Sequence, residues 1–295
     1  MYNGACDAWL ASPPPSQSHG FPVHRKAIIT ALIDKSGHGL EMGPSHDPVA
    51  PKADGFDVHI VDHMSQDELR GKYRGHGINL NNIEHVDFIS KGEPLRELLG
   101  TSASYDWIIA SHVIEHMPNM LRFLMDCQEV LKPGGVLSLA IPDQRFCLDY
   151  LRPVSTTGDI LQAFLEKRTR HTAGQVFDAF AFAGTVNGAL AWSQASQGRL
   201  EFMHDHGLAA VQLQNYLRSD EYVDVHGWVF TPHSFRLVVQ DLADIGYLRL
   251  TEAAFTPTIG CEFFLSYRNS PSPARVDRLG LAKAVKEEAR QAQCS

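Results

Sequence analysis

The chain has 295 residues, 44% hydrophobic and 20% charged. These are ordinary globular proportions that exclude a disordered, collagen-like or coiled-coil chain, and the length suits about two average domains or one α/β domain with an insertion. Thirty-four acidic against 26 basic residues leave a net charge of −8, which excludes a binding mode built on many nucleic-acid phosphates and leaves a small anionic substrate open. The apolar-rich stretch AIITALI from Ala27 has seven residues, far below the roughly 18 that cross a bilayer. The first 22 residues carry no Lys or Arg, so a cytoplasmic protein without a secretory address or membrane span is expected. Five scattered cysteines with no C-x-x-C pair fit reduced thiols and neither a disulfide framework nor a zinc ribbon.

Residues 1–22, with Pro13, Pro14 and Pro15, read as a flexible tail. A helix is expected near residues 24–36, then a strand at GLEM, 39–42. The next strand is DVHIVD, 57–62, followed by a helix with Ser65 and Glu68 in capping-box spacing. EHVDFI, 84–89, and DWIIAS, 106–111, are the third and fourth strands. Leu121, Leu124, Cys127 and Leu131 then recur at helical spacing until Pro133, Gly134 and Gly135 stop the helix. VLSLAI, 136–141, is the fifth strand. Residues 143–225, 83 in all, are too long for a crossover and read as a mainly helical insertion. Thr231 then caps a helix with Pro232 in its first position and Gly246 past its end. YLRLTEAAF and CEFFLSY, separated only by a turn at 257–260, must be antiparallel, because a parallel return needs a dozen or more residues. Residues 270–295 read as a linker into a charged helical tail.

Five parallel strands followed by an antiparallel hairpin resembles the class I S-adenosylmethionine-dependent methyltransferases, in their small-molecule branch. Glu41, Met42 and Gly43 occupy the start of that family's first motif, and Asp62 follows Glu41 by 21 residues at the end of the second strand. The spacing obeys the logic of dinucleotide-binding sheets, where an acid about 20 residues after the glycine loop reads the ribose. YDWIIASHVIEHMPN from Tyr105 and LKPGG from Leu131 resemble the family's later motifs. The resemblance covers about residues 25–142 and 226–269. It implies an α/β fold, doubly wound around a mostly parallel seven-stranded sheet with an antiparallel last strand, over residues 23–269 and carrying the helical insertion. It also implies S-adenosyl-L-methionine as cofactor, held by Glu41, Gly43, Ser45, Asp62, His63, Asp87, Phe88 and Ser111. Asp87 is expected to end the third strand and, with Phe88, to meet the adenine. One departure stands out: Gly43-Pro44-Ser45-His46-Asp47 keeps only the first of the family's alternate glycines. Pro44, Pro48 and Pro51 further argue that the segment is an irregular loop.

Ligands of open α/β sheets gather at the carboxyl ends of the strands, which singles out His112, His116, Asp143 and His226. A base near neutral pH helps a hydroxyl acceptor, and histidine is the first candidate. His112 and His226 are therefore expected as bases and Asp143 as a further catalytic group. Loop hydrogen bonding or helix capping is the other reading of His112, His116 and Asp143. Asp224 lies two residues before His226, which on an extended segment puts both on one face. His-Val-Ile-Glu-His at 112–116 formally matches the H-x-x-E-H zinc-peptidase pattern, but that pattern needs a helix where this segment straddles a strand end. It also resembles the E-x-x-E-H metal segment of certain RNA and ubiquinone-pathway O-methyltransferases, with His112 replacing the first Glu; no metal is expected. Lys167, Arg168, Arg170 and His171, with His204, Asp205 and His206, are either a solvated helix face or a lid with cations for an anionic group. The resulting expectation is O-methylation of a small-molecule or glycan acceptor, with no nucleic acid partner. The alternative is a non-catalytic cofactor-binding module with a degenerate glycine loop.

Overall fold

The structure is a computed structural model and describes residues 21–270 and 276–293. Most of the expected N-terminal tail and the 271–275 part of the expected linker lie outside the described residues. Helix α1 is Phe21–Ile29, followed by strands β1 (Gly39–Met42) and β2 (Val58–Asp62), helix α2 (Gln66–Tyr73) and strand β3 (Phe88–Ile89). Helix α3 (Leu95–Leu99), strand β4 (Tyr105–Ser111), helix α4 (Met120–Val130) and strand β5 (Leu131–Pro142) complete the first half. The insertion holds α5 (Thr157–Leu165), α6 (Ala173–Ala181), a ribbon of β6 (Gly184–Val186) and β7 (Leu200–Phe202), and α7 (His206–Arg218). Helix α8 (Pro232–Asp244), strands β8 (Leu250–Ile259) and β9 (Glu262–Asn269) and helix α9 (Arg278–Gln293) follow.

The seven-stranded sheet runs β3-β2-β1-β4-β5-β9-β8. Strand β9 lies antiparallel between β5 and β8, so β8 shares the direction of the other five. This is the expected doubly wound α/β topology. All four residues of β1 are buried, as a central parallel strand covered on both faces requires. One face packs Leu40, Ile108 and Leu137 against Leu121 and Leu124 of α4 and Phe235 and Leu242 of α8. The other packs Trp107, Ile109, Val136 and Phe264 against Ile29. Each such side chain contributes about 1.5–3 kcal/mol by leaving water. Truncating the fully buried Leu124 to Ala costs about 2–5 kcal/mol.

Several boundaries differ from expectation. Helix α1 ends at Ile29, before the expected 36, in turns around Thr30. Strand β3 keeps only two residues, because at this sheet edge only Val61 and Asp62 offer it partners. Helix α4 stops at Val130, ahead of Pro133, and LKPGG opens β5. The capping box at Ser65 forms as read; Thr231 precedes Pro232 at the start of α8 as read, but its hydroxyl has no hydrogen-bond partner among the described residues, and its N–H donates to Ser234 Oγ. The insertion is helical as expected but adds the β6–β7 ribbon. Helix α9 docks on α8: Leu281 is buried, Arg278 pairs with Asp241, and Glu288 accepts from His233. No helix among the described residues is long and apolar enough to cross a membrane. Cys127, Cys147 and Cys261 are free thiols.

Candidate active site

Strands β1, β2, β4 and β5 end together, Met42 pairing with Val61 and Ala110, and Ser111 with Ala140. The residues just past these ends form the mouth of the sheet. Gly43 leaves β1 with φ +58, and a Cβ there would sit 3.2 Å from Val113 Cγ2, so glycine is required by both conformation and space. No α-helix follows it before β2. The prolines make this an irregular loop, as expected, and Glu41 staples it. The Glu41 carboxylate, 1% exposed, accepts from Val49 N at 2.6 Å and Ala50 N at 3.0 Å. Burial outweighs these bonds and pushes its pKa up to about 7.

Ser45 also has positive φ, +53; its N–H donates to Asp62 Oδ2 at 3.1 Å and its hydroxyl to Tyr73 at 2.7 Å. Asp62 thus faces the Gly43 loop, and the half-exposed His63 lies over it, Nδ1 2.6 Å from Oδ1. Asp87 is a correction. It precedes β3 and does not end it, and its carboxylate turns back to accept from Ile60 N at 2.7 Å and Lys52 Nζ at 2.6 Å. Burial opposes its ionisation, and those two donors overcome it and hold the pKa below the usual range. Phe88 packs into the core and edge-on against His59. At the mouth the third strand presents Ser90 instead, its N–H on Asp62 O.

The β4 side is built differently. Arg25 of α1 donates to Ser111 Oγ at 2.5 Å and to both oxygens of Glu262 at 2.6 and 2.9 Å. Glu262 also meets His112 Nε2 at 2.8 Å. Burial penalises a charge on His112, but Glu115 and Glu262 together raise its pKa to about 9. His112 is therefore an imidazolium at neutral pH and does not fit the expected role of base. Glu262 is driven the other way: burial is overcome by His112 and Arg25, and its pKa falls to about 2.

Beyond His112, a single 3₁₀ turn at Ile114–His116 replaces the helix that a zinc-peptidase pattern would need. The segment returning from the insertion docks on this turn: Gly227 N donates to Glu115 O at 2.8 Å, and Trp228 Nε1 to Met117 O at 2.5 Å. Gly227 permits the approach, since a Cβ there would lie 2.3 Å from His171 Nδ1. Docking brings His226 to His116, ring centroids 4.8 Å apart at 88°. Each imidazole is backed by a carboxylate, His116 Nδ1 by Asp224 at 2.8 Å and His226 Nδ1 by Asp149 at 2.5 Å. Asp224 thus orients His116 and not the neighbouring His226. Arg152 fixes the second pair, donating to Asp149 Oδ1 at 2.6 Å and to His226 O at 2.7 Å. Burial opposes ionisation of Asp149, but His226 and Arg152 bring its pKa down to about 2. Buried His171 is held neutral by desolvation, its pKa lowered to about 4. Glu115 lies among these rings, 1% exposed and ionised despite burial because His112, His116 and His226 surround it.

Asp143 is the second correction. Completely buried, it accepts from Arg145 Nη2 at 2.6 Å, Arg145 Nε at 3.0 Å and the Thr258 hydroxyl. It is a buried ion pair that also caps the turn at Gln144–Phe146, and its partner Arg145 lines a 320 Å³ cavity with His233, Phe255 and Glu288. The insertion's cations are likewise engaged: Arg168 pairs with Glu166, and Arg170 stacks on Tyr216 and donates to Ser219 O. Asp205 caps α7. Sequence reasoning missed Arg25, Asp149, Arg152 and Glu262. Glu115 was in view inside His-Val-Ile-Glu-His, but its partner His226 arrives only through the docking of the insertion.

Residues 18–242 match a family model described as "Methyltransferase domain". Among solved structures, an S-adenosylmethionine-dependent methyltransferase from Mesorhizobium loti is similar at 12% identity, covering 81% of this chain and 95% of that one, with a TM-score of 0.41. The CcbJ methyltransferase from Streptomyces caelestis is similar at 15% identity, covering 88% and 97%, with a TM-score of 0.45. A SAM-dependent methyltransferase from Methanosarcina mazei is similar at 14% identity, covering 83% and 98%, with a TM-score of 0.41. No curated protein sequence matches.

Proposed function

The chain belongs to the methyltransferase-domain family and uses S-adenosylmethionine, and from that premise we propose that it methylates a hydroxyl of a small or carbohydrate-like acceptor at Glu115, His116 and His226. The observation that carries this reading is the convergence at one strand-end mouth of two imidazoles, each backed by its own carboxylate.

The bound sulfonium supplies a methyl group that is already electrophilic. The chain must hold both reactants, exclude water and receive the acceptor's proton. Gly43 and Asp62 are the groups assigned to the cofactor. The glycine opens the turn by lacking a Cβ, and the adjacent acid suits a ribose hydroxyl once the half-exposed His63 swings aside. Ser45, held beside Asp62, and Ser90, at the end of β3, complete that side. Glu41 acts at one remove, by stapling the loop.

On the acceptor side, a carboxylate on Nδ1 orients an imidazole and favours the tautomer whose Nε2 accepts. Asp149 does this for His226. For His116, burial opposes a charge, but Asp224, which orients the ring, and Glu115 raise its pKa. Ser111 and His112 hold the wall through Arg25 and Glu262. A neutral hydroxyl is favoured over a phosphorylated acceptor because the guanidinium groups at the mouth, Arg25 and Arg152, already have anionic partners. The net charge of −8 disfavours nucleic acid.

The test is transfer of labelled methyl from S-adenosylmethionine to panels of phenols, saccharides, amines and thiols. Label is expected in the hydroxyl compounds. His116→Asn and His226→Asn should each lower kcat about 10²–10⁴-fold while affinity for S-adenosylhomocysteine holds. Parent-level turnover in both variants would remove the assignment.

A further inference from the structure

Glu115 differs from every other carboxylate of the mouth. Glu262, Asp149 and Asp224 each accept hydrogen bonds, whereas neither oxygen of Glu115 has a hydrogen-bond partner among the described residues. Its closest imidazole nitrogens, His112 Nδ1 at 3.5 Å and His116 Nε2 at 4.0 Å, are beyond good hydrogen-bonding range. A buried carboxylate whose oxygens accept no hydrogen bond costs several kcal/mol, and the His112 imidazolium 3.5 Å away offsets its charge without supplying a close donor. Among the described residues no Lys or Arg forms an ion pair with it.

The geometry around it suits a cation. One carboxylate oxygen of Glu115 and one ring nitrogen each of His116 and His226 lie within 4.8 Å of one another. The two rings meet edge to face, so their nitrogens approach from perpendicular planes. Each ring is also held by a carboxylate at Nδ1, the arrangement that fixes tautomer and basicity in metal-bound histidines. His112 takes no part, because its Nε2 is on Glu262 and its backbone is left-handed, φ +53.

We propose that Glu115, His116 and His226 bind a divalent transition-metal ion, with Asp224 and Asp149 as the carboxylates that orient the two imidazoles. Two nitrogen donors and one carboxylate select Zn²⁺, Mn²⁺ or Fe²⁺ over Mg²⁺ and Ca²⁺, which favour all-oxygen sites. Side-chain rotation closes the donors to bonds of about 2.0–2.2 Å. Three protein ligands leave coordination positions open, as in catalytic and not structural sites. This proposal departs from the expectation of no metal, and the site is not the E-x-x-E-H segment alone, since it omits His112 and takes His226 from beyond the insertion. The binding stands by itself; with the ion bound, the ring nitrogens of His116 and His226 are ligands and no longer proton acceptors, so the ion would activate the acceptor hydroxyl, and that use rests on the methyl-transfer reading.

The experiment is titration of the chelator-stripped, full-length chain with Co²⁺, Zn²⁺ and Mg²⁺, followed by calorimetry and visible absorption. One Co²⁺ per chain is expected, with ligand-field bands that Zn²⁺ abolishes and Mg²⁺ leaves. Glu115→Gln and His226→Gln should abolish uptake, and Asp149→Asn and Asp224→Asn should weaken it about 10–100-fold. Circular dichroism verifies folding, and Asp224→Asn, a partly exposed position, supplies the test should Glu115→Gln not fold. His38→Gln, at the amino end of the central strand β1 and so at the opposite end from the mouth, should bind as the parent does. No uptake by the folded parent, or uptake unchanged in the Asp149, Asp224 and His226 variants, would overturn the site. S-adenosylhomocysteine binding in the same stripped samples reports separately on the methyl-transfer reading: its loss with metal uptake intact counts against that reading alone.

Discussion

On the β1–β2–β3 side of the mouth the acids fold back onto their own chain, Glu41 onto Val49 and Ala50, Asp87 onto Ile60 and Lys52. On the β4–β5–β9 side they point at imidazoles, Glu262 at His112, Asp149 at His226, Asp224 at His116. Glu41 and Glu262 belong to strands of one sheet, whereas Asp149 and Asp224 reach the mouth from the insertion. Position near a strand end does not make a carboxylate a binding group; the donors already on it decide. Backbone N–H groups turn an acid into a staple, whereas an imidazole partner turns it into an orienting group that leaves chemistry to the ring.

The comparison breaks most sharply if the histidine side proves inert. His226→Asn is expected to lower kcat about 10²–10⁴-fold, read as turnover at saturating cofactor, while Tm moves little. Next in size is an acid transition. Glu262 has a depressed pKa, so its contribution is present above the unfolded value near 4.5 and is lost as pH falls toward about 2. The loss is on the order of 3 kcal/mol. Chemical denaturation across that window should steepen for the parent and flatten for Glu262→Gln. Gly227→Ala places a methyl 2.3 Å from His171 Nδ1; overpacking of that kind costs about 1–3 kcal/mol. It should separate His226 from His116, seen as lowered Tm together with lost turnover. Smallest is Gly43→Ala, which forces a side chain into φ +58 at about 1–2 kcal/mol and should weaken S-adenosylhomocysteine while sparing the histidine cluster.

The sheet was legible in the sequence because its order rests on local signals. GLEM coincides with β1, and the short turn between the last two strands forces β9 to run antiparallel whatever else the chain does. The spacing placed Gly43 just past β1 and Asp62 at the end of β2, where the structure has them. Asp87 was misplaced because β3 is a two-residue edge strand, too short for period-two alternation to mark its end. Asp143 was misread because its partners, Arg145 and Thr258, lie two residues on and across the sheet. His112 was misassigned because its protonation is set by Glu115, three residues on, together with Glu262, 150 positions away. The pairing of Glu115 and His116 with His226 depends on the insertion folding back, a tertiary event with no local signature.

The most direct test is calorimetric titration of S-adenosylhomocysteine into the parent, Asp62→Asn and Asp87→Asn. One site per chain is expected in the parent, at least tenfold weaker binding in Asp62→Asn, and parent-like affinity in Asp87→Asn despite a lower Tm. Absence of saturable binding to the folded parent, or an equal loss in both variants, would contradict the account.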